Sequence, residues 1–561
     1  MLIADTAAGA GTVHSRWRRA IRVAEGLRQH VERSMLLQVL ALFALLRVTY
    51  GWWFPGADRS LYESTLLLPT ASLSVGLIWM GVGFAALSMA AERAPRLRRR
   101  WRSPATWAGL ACDEGLDVRF IVLPAVGVLA FAHSSFEYNF ALDHTHLISR
   151  LAVLVLAVLV VYRPAFLPAF VAAVLVIVGQ FSATGLGASV SIDKRPLHDL
   201  LIAAAIFVMA SAFVRLRTSA LVVLTFCLQA SHYLGPGITK LRVGDTPWQW
   251  ALHNSTHHLF VAAHANGWLT GVADRTILDA AQLFARFDVP VQVATVVVEL
   301  GAVMVFARRR VQLLLLGSFA VLHLSIVATS GIFFWKWIVI DLAFIGFALL
   351  HGRTEAWSRL FTRTNAAAAA VVVVLAVVVF PRPSLGWFDS ELSEVFEVEL
   401  VDAEGQGHSV DAGFFAPYSA IFAQNRLAYL SREPVLTGTY GAVRDLEHAR
   451  RIHEAGSPAG IRRLQETHGV VRFDRARAEA FDQFMAGYVS ALNRREGDRR
   501  VAPFVVSAPH HIYDSADGGG DLRLPIRTVR VRLVETYYHN GRLEPVDDKV
   551  VRRVEIPETS G

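Results

Sequence analysis

An apolar run from Ser219 to Leu234 ends in Gly235-Pro236-Gly237 and is followed by a lone cation, Lys240, with His232 and Tyr233 just upstream and Trp248 just downstream. A charged group at the end of an apolar helix is costly, and irregular backbone persists at that depth only beside protein or a cavity. The pattern therefore marks a functional residue by default. The Gly-Pro-Gly triplet is expected to break the helix and deliver Lys240 to a membrane boundary. Two roles suit a lysine there. It is a base if desolvation lowers its pKa from about 10.4, or an anchor whose ammonium snorkels to the head groups.

Other polar side chains fall beside apolar runs in the same way. Asp143-His144-Thr145-His146 precedes one run, and His323 lies inside another, shortly before Trp335-Lys336-Trp337. These read either as site residues or as interfacial histidines and an aromatic belt. Glu299 and Asp341 sit within apolar runs, where acids face a partner or a polar cavity. Glu299 has two readings, a structural ion pair with a lysine or arginine, or the lining of a quinone or proton path. His253-Asn-Ser-Thr-His257-His258, with His264 beyond, has i, i+4 spacing that puts two imidazoles on one helix face. Membrane metal oxygenases use such boxes, but in several clusters, and here there is one. His510-His511 is a weaker signal still, and no metal is expected.

The elements that must position these residues follow from composition. Of 561 residues 53% are hydrophobic and only 18% charged, too apolar for an ordinary soluble chain. A helix crossing about 30 Å of hydrocarbon needs about 20 apolar residues. The apolar runs are 35–54, 65–91, 119–133, 146–162, 164–182, 198–214, 218–235, 289–307, 311–329, 331–351 and 365–381. The fold class expected is an all-α polytopic membrane helix bundle of about nine to eleven spans with a C-terminal soluble α+β domain. The lipid bilayer is thus the first partner. The net charge of +8 comes largely from arginine clusters flanking the runs, so topology explains it and no nucleic-acid partner is expected.

With the N-terminus inside, the arginine clusters at 93–102, 163, 215–217, 308–310 and 353–363 all fall on one side. Lys240, the histidines and the C-terminal domain fall on the other. The expected location is a cell inner (cytoplasmic) membrane. Three regions result: a basic interfacial segment at 1–34, a membrane domain at 35–382, and an extracytoplasmic domain at 383–561. The first apolar run begins only near Met35, after the arginine-rich stretch 16–33, so no signal peptide is read. Within 383–561, Glu394 to Val401 alternates as a strand and 417–432, 443–468 and 473–495 carry helical spacing. Strands at 528–538 and 549–556 flank the turn His539-Asn540-Gly541-Arg542. Cys112 and Cys227, in a basic loop and an apolar run, imply no disulfide framework.

Three segments resemble the vitamin K-dependent gamma-glutamyl carboxylases and their bacterial relatives, whose membrane part is the HTTM domain. They are His232-Tyr-Leu-Gly-Pro-Gly-Ile-Thr-Lys240-Leu241 with Trp248, Asp143-His144-Thr145-His146-Leu147, and His323-Leu-Ser325 with Gly331-Ile-Phe-Phe-Trp335. The similarity spans roughly residues 35–350. It implies that Lys240 is the base that deprotonates a reduced isoprenoid quinone, vitamin K hydroquinone or menaquinol, with O2 and CO2 as co-substrates. His144 matches the family histidine beside the reacting glutamate of a peptide substrate, where it can donate a hydrogen bond to developing negative charge. His146, His232, Tyr233, Trp248, His323 and Trp335 are implied to bind substrate. The chain departs from the family at Asp143, which stands where the family has asparagine; a carboxylate there disfavours an anionic substrate. A third reading is non-enzymatic, a membrane scaffold or export partner with Lys240 as a topological anchor.

Overall fold

The computed structural model describes residues 25, 29–54, 73–94, 96, 101, 104–111, 114–134, 145–182, 186, 193–415, 418–496, 508–514 and 522–558. The chain is mostly helical. Eleven helices coincide with the eleven apolar runs: α1 (Met35–Trp53), α2 (Leu73–Arg93), α3 (Arg119–Ser134), α4 (Thr145–Tyr162), α5 (Leu167–Ser182), α6 (Arg195–Ser211), α7 (Thr218–Arg242), α10 (Asp288–Gly301), α11 (Arg309–Ser330), α12 (Trp335–His351) and α13 (Arg363–Val379). Between α7 and α10 lie α8 (Thr256–Ala265) and α9 (Asp274–Ala285).

Among the described residues, four helical stretches are long and apolar enough to cross a membrane: Met35–Trp53, Pro164–Phe181, Thr218–Arg242 and Arg309–Ser330. The count is six if two bent pairs each form one span. These are α9 with Asp288–Met304, bent by 68°, and α12 with Glu355–Phe361, bent by 115°. The stretches Arg119–Ser134, Ile148–Tyr162 and Arg363–Val379 are apolar but shorter.

Helix α7 is the axis of the bundle, almost wholly buried and packed by α1, α6, α10 and α13. It corrects one expectation, because it runs unbroken for 25 residues through Gly235-Pro236-Gly237. Proline removes a single N–H and does not force a stop when neighbouring helices hold the backbone. The glycines answer to packing instead. A Cβ on Gly235 would lie 2.9 Å from Cβ of Arg382, and one on Gly237 would lie 2.9 Å from Cβ of Glu299 and 3.2 Å from the backbone nitrogen of Leu300.

Beyond α13 the chain enters an α+β unit. Its main sheet has the order β3-β2-β5-β6, from β2 (Leu392–Asp402), β3 (Gly407–Val410), β5 (Ile526–His539) and β6 (Arg542–Glu555). A second, two-stranded sheet pairs β1 (Phe388–Asp389) with β4 (Ala442–Val443). Alternation along β2 buries Phe396, Val398 and Leu400, which meet Val529, Val531 and Leu533 of β5. The hairpin closes through Asn540-Gly541, both at positive φ, as a tight turn between right-twisted strands requires. Helices α14 (Leu446–Ala455), α15 (Pro458–His468) and α16 (Arg475–Arg494) complete the unit, with α15 and α16 packed on β6. Cys227 is buried and free, and Cys112 lies outside the described residues.

Candidate functional site

The polar residues of α7 lie on two lines set by helical periodicity. Gln229, Tyr233 and Lys240 share one stripe, because four and eleven residues bring a helix back to within about 40°. His232 lies to one side of it. Each line carries a buried network.

On the stripe, the Lys240 ammonium donates to both carboxylate oxygens of Glu299 in α10, at 2.7 and 2.9 Å. Both side chains are buried, at 7% and 6% exposure, so the Lys240 ammonium is turned in toward Glu299. The indole face of Trp250 lies 5.2 Å from the ammonium. Two turns back, Asp341 of α12 collects two donors and a histidine. Tyr233 Oη donates to Oδ2 at 2.6 Å, Gln229 Nε2 donates to Oδ1 at 2.8 Å, and His323 Nδ1 lies 3.3 Å from Oδ2. His323 Nδ1 is also 3.3 Å from Tyr233 Oη, and the Tyr233 ring stacks on Phe319 with centroids 3.6 Å apart. The acids Glu299 and Asp341, singled out as needing partners, both have them.

The second network centres on Asp199 of α6. It accepts from Tyr50 Oη at 2.9 Å and Arg382 Nη1 at 2.7 Å, and lies 3.1 Å from His232 Nε2. Arg195 pairs with the same carboxylate at 3.5 Å and donates to Tyr50 Oη. Neither Asp199 nor Arg382 was anticipated. The rule that exposed Glu299 applies equally to Asp199, an acid inside an apolar helix.

The remaining anticipated residues scatter. Trp248 is 40% exposed and left-handed, φ 72°, at the start of a short helix, and Trp250 takes the place beside Lys240. Trp335 donates from Nε1 to the carbonyl of Ala508 at 3.1 Å and stacks under Lys336, which pairs with Asp193 at 2.7 Å. His146 is in α4, but its side chain and all of His144 and Asp143 lie outside the described residues, as does most of the arginine-rich stretch 16–33.

The histidine box does not assemble. His257 Nδ1 lies 2.6 Å from Asp288, His264 Nδ1 lies 3.0 Å from the Trp268 carbonyl, and His258 faces Glu391 at 3.8 Å. Burial drives the His258 imidazole well below its ordinary pKa and lifts the nearby Asp389 carboxyl to about 6. Among the described residues no three His, Cys, Asp or Glu side chains converge to hold a metal ion.

A groove of 550 Å³ runs between α10 and α11, lined by Val291, Ala294, Val298, Gly317, Val321 and Leu322 among others, with no charged residue. Val298 precedes Glu299 and Leu322 precedes His323 in sequence, but none of the site side chains lines the groove. A Cβ on Gly317 would meet nothing within 4 Å. The arrangement thus offers a buried amine–carboxylate pair with a hydrogen-bonded Tyr-His-Asp group beside it, and the bundle carries a separate apolar groove between α10 and α11. No protein-family model, curated protein or solved structure matches the chain.

Proposed function

We propose that the chain is a multi-pass inner-membrane enzyme of the vitamin K-dependent carboxylase kind, with up to eleven spans, the N-terminus inside and the α+β unit outside. In this reading Lys240 takes a proton from a reduced isoprenoid quinone. The observation that carries it is the burial of Lys240 against Glu299 inside the bundle, where an anchoring lysine would reach for water. Glu299 supplies the first requirement of a base. It accepts a proton from the Lys240 ammonium, leaving a neutral amine and a neutral carboxyl, a charge-free pair that a low-dielectric interior tolerates. The amine then accepts the proton of the quinol hydroxyl, and the ammonium formed balances the quinol anion beside it.

The residues present fit such a group. The groove between α10 and α11 matches small-molecule pockets in size, about 300–1,000 Å³, and its uncharged walls suit a prenyl chain. The quinol, when bound, supplies the reducing equivalents that O2 consumes in the removal of a glutamate γ proton, after which CO2 adds to the carbon. In this reading Tyr233 and His323, whose hydrogen bonds run to Asp341, orient a ring hydroxyl. The test is quinol-dependent incorporation of labelled CO2 into a glutamate-containing peptide by the wild type and by Lys240→Ala, both checked for folding. Incorporation that needs Lys240 supports the reading, and equal incorporation in the two removes it.

A second reading, a scaffold or export partner at the outer face, draws on the same pair. Lys240 and Glu299 satisfy one another's charge and join α7 to α10, as a structural ion pair would.

A further inference from the structure

A separate cluster lies where the helix bundle meets the α+β unit, and neither network above uses it. Helices α6 and α12 both begin there, so their amino-terminal partial charges add to the ammoniums of Lys194 and Lys336, which flank the carboxylate of Asp193 at 3.0 and 2.7 Å. Trp337 Nε1 donates to the Asp193 carbonyl at 2.9 Å. From the other side, residues 508–514 are strapped across the α11–α12 turn. Phe333 donates to the His510 carbonyl at 2.6 Å, Ile512 to the Gly331 carbonyl at 2.9 Å, and Tyr513 Oη to the Ser330 carbonyl at 2.8 Å.

The strap brings His510 and His511 into the field of Asp193 and Lys336. His198, one turn along α6 from Lys194, stacks on His133 with ring centroids 5.8 Å apart. All are more than nine-tenths buried. Both ring nitrogens of His198, both of His511, and Nδ1 of His510 have no hydrogen-bond partner. Burial pushes the His510 imidazole down to about 4 and His511 well below its usual value, so both are neutral near pH 7 and each presents one N–H. A buried polar group left without a partner is costly, and two such rings side by side on the strap, with centroids 4.6 Å apart, point to a ligand that satisfies them.

We propose that this junction is a binding site for the oxyanion of a small ligand, a carboxylate or a phosphate, held by ring N–H groups of His510 and His511 beside the Lys336 ammonium. Oxyanion chemistry follows from the donors. Neutral imidazole N–H groups, ammoniums and two helix amino-termini all favour an acceptor of negative charge, and Arg426 adds its field at His511. Asp193, the acid whose field reaches both strap histidines, is already paired with two lysines. Because the strap belongs to the outer unit and α6 and α12 to the bundle, occupancy ties the two parts together.

The experiment uses the full chain in lipid nanodiscs, titrated separately with inorganic phosphate and with acetate by calorimetry, for the wild type, Lys336→Met and His511→Leu. The expected result is saturable binding of one probe, weakened at least about tenfold in both variants, since a hydrogen bond to a charged group is worth that much or more. Which probe binds assigns phosphate or carboxylate. His511→Leu preserves volume in an apolar setting and serves if Lys336→Met does not fold. No saturable binding of either probe to the wild type overturns the proposal, as does binding of unchanged affinity in folded His511→Leu.

Discussion

Gly237 makes room for Glu299: the Cβ that glycine lacks would sit 2.9 Å from Cβ of that glutamate, on the turn of α10 that carries its carboxylate to Lys240. Packing and chemistry are therefore set by one position. Gly237→Ala is expected to push α10 away, lengthen the Lys240–Glu299 contact and lower stability by about 1–3 kcal/mol, the usual cost of overpacking. Thermal unfolding in detergent checks the stability. An alanine variant as stable as the wild type shows that the approach is not constrained.

Breaking the ion pair from either end leaves a buried charge alone. Lys240→Met and Glu299→Gln are each expected to destabilise by about 3–5 kcal/mol, whereas Lys240→Met with Glu299→Leu, which removes both charges, recovers most of the loss. A double-mutant cycle on unfolding midpoints measures the coupling. Additive losses contradict a direct buried pair.

The α+β unit carries a like-charge pair with a pH signature. Glu394 and Glu535 face each other in the β2–β5 register, both fully buried. Thr437 donates to Glu394 at 3.0 Å and Gln465 to Glu535 at 2.5 Å, while one oxygen of each carboxyl has no partner. Burial, then the charge of Glu394, lifts the Glu535 carboxyl to about 7 from an ordinary 4.5. The native state therefore holds a proton that the unfolded chain has released. Stability falls as pH rises from about 4.5 to about 7, and Asp389, lifted to about 6, adds to the same slope. Glu535→Gln is expected to flatten much of that slope and to be more stable than the wild type at pH 8. Unfolding midpoints across pH test it, and an unchanged slope refutes the assignment.

The groove offers a separate handle. Gly317→Phe enters open space, so it is expected to leave folding intact while blocking a chain between α10 and α11. KM for a prenylated quinol is expected to rise about tenfold or more, and that for a tail-less quinol to stay unchanged. Equal effects on both substrates place the chain elsewhere.

Much of this architecture was legible in the residues. Apolar runs about 20 residues long coincide with helices because length and composition leave a buried helix few alternatives. Asn540-Gly541 announced its hairpin through the positive-φ turn geometry that it favours. Lys240, His232, Tyr233 and His323 stood out as polar groups in apolar surroundings. Their partners did not, because which acid meets which base depends on how helices far apart in sequence pack. Asp199 and Arg382 are 183 residues apart, and Asp193 meets Lys336 across the bundle. Gly235-Pro236-Gly237 misled for a related reason. Read locally it is a helix stop, but the surrounding helices use it as a contact surface.

The measurement that bears most directly on the central claim is oxidation of vitamin K hydroquinone or menaquinol by the purified protein, followed as quinone epoxide, for the wild type and Lys240→Ala. The account predicts epoxide from the wild type and its loss in the folded alanine variant. No epoxide from folded wild type, or the same yield from both, contradicts Lys240 as the base and leaves its pair with Glu299 a structural bolt between α7 and α10.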